Sequence, residues 1–182
     1  MTQPTTTSDP VLALMDAERA SFLAEVARVP AARQAERTAP DRWSVAEIVE
    51  HVARIDFGVA RILGMHAAQP RPATPEVLAA AQLTPEKVAR VRSRAERIEA
   101  PDRVRPTGEL APEAALAQLA QAREALKAVY VSADPAVLDG VVHEHPVIGL
   151  LTLRGWFQLA AHHDARHAQQ VAELATELAR DA

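Results

Sequence analysis

The chain has 182 residues, enough for one domain with a real core, and its formal charge of −4 arises from interleaved acids and bases. That balance argues against a nucleic-acid partner held by broad electrostatic attraction, and the absence of cysteine excludes a disulfide frame, a thiolate zinc site and a cysteine nucleophile. Lack of disulfides accords with a cytoplasmic protein, and with no apolar run of transmembrane length no membrane partner is expected.

Met1 to Ser8 is polar and rich in threonine, without the basic start or apolar centre of a signal peptide. It reads as a tail ahead of a single domain over residues 9–180. Asp9-Pro10 is a helix start, with aspartate as N-cap and proline at the first helical position. Leu12, Met15, Phe22, Val26 and Val29 then lie on or near one face of a helix that ends before Pro30. After a polar stretch, Ser44-Val45-Ala46-Glu47 is a capping box. The second helix runs to about Ala68, with Val45, Ile48, Val52, Ile55, Val59 and Ile62 inward and His51 at the edge of that face.

Pro70, Pro72 and Pro75 break the chain, leaving room for a short helix around Val77 to Ala81. Thr84-Pro85-Glu86 starts a basic helix carrying Lys87, Arg90, Arg92, Arg94 and Arg97 and ending before Pro101. Val88, Val91, Ala95 and Ile98 are its only anchors, so it reads either as an anion- or partner-binding face or as a solvated insertion over the bundle. A linker over Pro101 to Ala111 precedes the third long helix, where Leu116, Leu119, Ala122, Leu126 and Val129 face inward. Asp134 to Leu151 is expected to be a loop, and Thr152 to cap a final helix reaching about Ala179. With no strand alternation, the fold class is all-α: a four-helix bundle whose long second connection permits a crossover.

The final helix carries the chemistry. Trp156, Leu159, His163, His167, Gln170, Leu174 and Leu178 recur at three- and four-residue steps, so His163 and His167 stack one turn apart on an inward stripe. His162 falls instead with Arg166, Gln169, Glu173 and Glu177 on a polar stripe. Two such imidazoles can converge on a metal ion, and His51 is the best third ligand because it nears the core from another long helix. Three imidazoles leave coordination positions open, as in a catalytic site; hydrogen-bonded core histidines are the alternative reading. Gln170 either positions a bound group or packs between helices. His145 either reaches the site mouth or serves a turn before Pro146, and Glu47 either orients His51 or only closes the capping box. Asp164 and Glu50 are expected to face solvent.

Three stretches resemble the DinB-like (DinB/YfiT-like) superfamily of metal-binding bundles: Trp43 through His51, His145 through Thr152 with Trp156, and His163-Asp164-Ala165-Arg166-His167-Ala168-Gln169-Gln170. Pro106-Thr107-Gly108 adds to the likeness, which spans most of the chain. The resemblance implies a left-handed up-down-down-up bundle, with short extra helices between helices 2 and 3, holding zinc or nickel at His51, His163 and His167. Several members are dimers, so a homodimer is expected, and some use a low-molecular-weight thiol as cosubstrate. Lacking cysteine, this chain would take its sulfur nucleophile from such a thiol held at the open metal position.

Two functions therefore stand: a metal-dependent enzyme of the thiol S-transferase or hydrolase type with a small-molecule substrate, or a non-enzymatic metal-binding protein of stress response or interaction. Catalytic residues are unassigned beyond the candidates His145 and Gln170. A DNA-binding role would draw only on the basic helix.

Overall fold

The computed structural model describes residues 9–95 and 98–180; the expected tail and Arg97 of the basic helix lie outside them. Four long helices, α1 (Pro10–Ala27), α2 (Val45–Ala68), α5 (Pro112–Ser132) and α7 (Leu153–Arg180), form the bundle. Local chemistry sets their starts. Asp9 accepts from the backbone N–H groups of Val11 and Leu12, and the Ser44/Glu47 capping box is complete. At α7, Gly155 N donates to Thr152 Oγ1 at 3.0 Å.

Helix directions follow from which ends meet. The start of α1 packs with the starts of α7 and ends of α2 and α5, through Met15, Phe157, Leu63 and Leu126. Its far end packs with the end of α7 and the starts of α2 and α5, through Phe22, Leu174, Ile48 and Leu119. Hence α1 and α7 run one way, and α2 and α5 the other, which is up-down-down-up order. One end is tied by Arg33 Nη1 donating to Leu178 O, and the other by Tyr130 Oη donating to Asp9.

Because α2 and α5 are parallel, the chain must travel back along the bundle between them. It does so through two short helices, α3 (Pro75–Ala80) and α4 (Pro85–Arg92), and a strap over residues 101–111. The basic helix is shorter than its periodicity suggests. It stops at Ser93, whose hydroxyl accepts from Ala95 N in competition with the helical ladder. Val91 alone is fully buried there, while Ile98 is exposed.

The expected loop before α7 is partly ordered. It contains a short helix, α6 (Pro135–Gly140), and an antiparallel hairpin of β1 (Val142–His145) with β2 (Gly149–Thr152). Four-residue strands carry too little alternation to be read from sequence, and Gly149 at φ +80° supplies the left-handed residue that turns the chain.

The bundle centre is charged. Arg19 of α1, Asp56 of α2, Arg123 of α5 and Asp164 of α7 contribute one residue each and are all buried. Arg19 contacts Asp56 and Asp164 at 2.8 Å each, and Arg123 contacts them at 3.1 and 2.6 Å. Burial pushes the Asp56 carboxyl up to about 6, with Arg123 and Arg19 pulling against it. Asp164 thus does not face solvent: α7 is enclosed by α1, α2, α4 and the hairpin, and its off-stripe residues meet neighbours. Arg166, on the expected polar stripe, is buried for the same reason.

Candidate metal site

His51 on α2 and His163 and His167 on α7 converge, offering three ligand atoms within 4.8 Å of one another. Their rings lie 4.4 to 5.4 Å apart, centre to centre. His51 and His167 are buried, and His163 keeps part of its surface in contact with solvent. Trp43 packs on the other side of His51, with ring centres 4.9 Å apart.

Hydrogen bonds settle the tautomers of two rings. His51 Nδ1 lies 2.8 Å from the Val104 carbonyl and His167 Nδ1 lies 2.8 Å from Gln170 Oε1. Both partners are acceptors, so each Nδ1 carries the proton and each Nε2 is left with a lone pair. Gln170 thus supports a site ring, one of the two roles open to it from sequence. His167 Nε2 then faces His163 Nε2 at 3.1 Å, an arrangement that holds one proton or one cation between two nitrogen donors. Burial, the first cause, lowers the basicity of all three rings, and for His163 and His167 it does so strongly. Neutral imidazoles with free Nε2 atoms are the state in which histidine binds metal, so the donor set fits a divalent ion.

His145 serves its turn. Its Nδ1 accepts from Val147 N at 3.1 Å and Ile148 N at 3.2 Å, which places its own proton on Nε2. The ring also packs on Trp156, with ring centres 4.9 Å apart. Burial lowers His145 itself to about 4. Glu47 holds the capping box, with Oε2 taking Ser44 N and Arg37 Nε at 2.8 Å each.

Glu50 does not face solvent. It is 1% exposed, because the strap lies across it. Thr107 donates to it from N at 2.9 Å and from Oγ1 at 3.1 Å, and Gly108 N at 3.4 Å. The strap was unreadable as a site element because its contribution is a backbone carbonyl, which carries no residue-type signal. Pro106-Thr107-Gly108 was its one visible trace. His162 stands apart from the triad, with Nδ1 accepting from Arg92 at 3.1 Å.

Two arginines of the basic segment form ion pairs, and Lys87 Nζ donates to the carbonyls of Ala80, Gln82 and Leu150. Arg92 meets Glu18 at 2.6 Å and Arg94 meets Glu173 at 2.9 Å, so these pairs seal α4 and the following turn onto α1 and α7. No helix among the described residues is long and apolar enough to cross a membrane.

Two known proteins resemble this chain. YuaE of Bacillus subtilis (strain 168), an uncharacterised protein, is 25% identical over 146 residues, covering 80% of this chain and 85% of its own. The crystal structure of TT2238, a four-helix bundle protein, superposes with a TM-score of 0.57 at 24% identity over 91% of this chain and 97% of that one, a likeness of fold. The family model described as the DinB superfamily matches residues 14–171, and with the bundle and its histidine triad already in place, this chain belongs to the DinB superfamily.

Proposed function

We propose that the chain binds a divalent metal ion, zinc or nickel, through His51, His163 and His167, and that it is a metal-dependent enzyme of the thiol S-transferase or hydrolase type. The observation that carries this reading is the convergence of three neutral rings, two with Nδ1 already committed so that the lone pair lies on Nε2. When bound, the ion would supply Lewis acidity, favouring the deprotonated form of a thiol or water at neutral pH.

The chain's own residues supply the rest. Val104 O and Gln170 hold two rings in the ligating tautomer, and Trp43 and the buried flanks of α2 and α7 keep water from all but the His163 side. His145 presents an Nε2–H donor, suited to a developing negative charge and unsuited to accept a proton there. A cysteine-free chain takes its sulfur from outside, so a low-molecular-weight thiol is the cosubstrate proposed and a small electrophile the substrate. The buried charge quartet already joins all four long helices, which weighs against a metal kept only to hold the bundle together. Cytoplasmic location and a homodimeric state belong to the same proposal through the family resemblance.

Elemental analysis after gentle purification tests the site: about one equivalent of metal is expected, lost in His51→Ala and His167→Ala. A thiol-conjugation screen against electrophiles tests the activity, with turnover abolished by chelator and restored by metal. Full metal with no turnover would favour the non-enzymatic reading.

A further inference from the structure

Glu50 is an unusual residue to find without water. It sits beside His51 on α2, is 1% exposed, and spends its carboxylate on the strap. Thr107 gives it a backbone N–H and a hydroxyl, Gly108 gives a second N–H, and Arg54 Nε closes the set at 2.9 Å. Gly108 makes this path of the strap accessible. Its φ is +73°, and a Cβ there would lie 3.0 Å from Glu47 Oε1, so two glutamates one turn apart border the same bend. Three residues upstream of Thr107, the Val104 carbonyl takes the His51 Nδ1 proton at 2.8 Å. Val104 is itself buried at 8% exposure, which keeps water from replacing that carbonyl.

We infer that Glu50 is a positioning residue for the histidine site, acting through the strap: it anchors Thr107 and Gly108, which places the Val104 carbonyl where it holds His51 in its Nδ1–H tautomer. This rests on the three-histidine reading and deepens it. A bundle needs no carboxylate at this position to close its core, since a strap can be packed by apolar residues alone. A buried carboxylate that orders the strap gives the carbonyl a fixed address beside one ring. Supporting groups of this kind typically change metal affinity by about 10- to 100-fold when removed.

The experiment measures cobalt(II) affinity by competition with a chromophoric chelator in the full-length protein, beside long-range ¹H–¹⁵N spectra of the His51 ring without metal. Glu50→Gln is expected to weaken cobalt about tenfold or more and to convert His51 from one tautomer to a mixture. Thr107→Ser, which keeps both donors, is expected to match the parent, and Thr107→Val to fall between. Gly108→Ala strains the strap at its positive-φ residue and crowds Glu47 while leaving Glu50 itself unchanged, and it serves if Glu50→Gln does not fold. Parent-like affinity and an unchanged His51 tautomer in folded Glu50→Gln and Gly108→Ala would overturn the inference. If the parent itself binds no cobalt, the metal reading fails, while the metal-free tautomer spectra still decide the role of Glu50.

Discussion

The Arg19 guanidinium and the Asp164 carboxylate meet at 2.8 Å inside the bundle, one residue along α7 from His163. Asp164 is fully enclosed and also binds Arg123 of α5 at 2.6 Å. The position and rotation of α7 against α1 and α5 are therefore set beside the histidine pair, through groups that tolerate little displacement. Replacing Asp164 by Asn leaves two buried guanidinium groups short of a counter-charge. Breaking such a pair from one side costs about 3–5 kcal/mol. Urea denaturation should show the midpoint falling with an unchanged slope, and a loss below about 1 kcal/mol would mean the quartet is not formed in solution.

Gln170 stands behind His167 as Val104 stands behind His51. Gln170→Leu removes the acceptor from His167 Nδ1 and is expected to weaken metal binding by about 10- to 100-fold. Gln170→Glu offers a stronger acceptor and should bind at least as tightly as the parent. Chelator competition separates the three proteins; equal affinities across them would make Gln170 a packing residue.

His145 predicts a pH dependence with a definite sign. Its folded pKa, about 4, lies below the ordinary value of 6.5, with burial as the first cause and His143 as the second. The unfolded chain therefore takes up the proton more readily. The stability His145 contributes is complete above about pH 6.5 and is lost as pH falls towards 4. Protonation also removes the Nδ1 acceptor used by Val147 N and Ile148 N, so the turn before β2 should loosen with it. In metal-free protein, His145→Asn should flatten the fall in stability between these pH values. A ring titrating near 6.5 by NMR would refute the assignment.

Arg92, at the end of α4, and Arg94, just after it, should not bind duplex DNA. Arg92 and Arg94 are committed to Glu18 and Glu173, and the chain as a whole carries −4. Fluorescence anisotropy with a labelled duplex should show no salt-dependent binding. Binding that weakens steeply with salt and disappears in Arg94→Ala would restore that role.

Residue type and spacing alone were sufficient for the four long helices, their caps and the short helices in the crossover. They were also sufficient to single out the histidines at positions 51, 163 and 167. These are local properties: a cap acts within one turn, and a helical stripe repeats every three or four residues. The hairpin was missed because its strands are four residues long. The basic periodicity runs past the end of α4 because one serine hydroxyl, set against the ladder, does not disturb the pattern.

Glu50 and Asp164 mark where local reading ends. Both are charged and lie off the apolar stripes, so helical phase alone turns them to water. Tertiary structure buries both: the strap returns along α2 over Glu50, and α7 is enclosed on more than one side around Asp164. The sequence by itself determined which side chains can ligate and on which helices they ride. Only the tertiary structure decided which nitrogen of His51 is free, because the deciding partner is the main-chain carbonyl of Val104, 53 residues away.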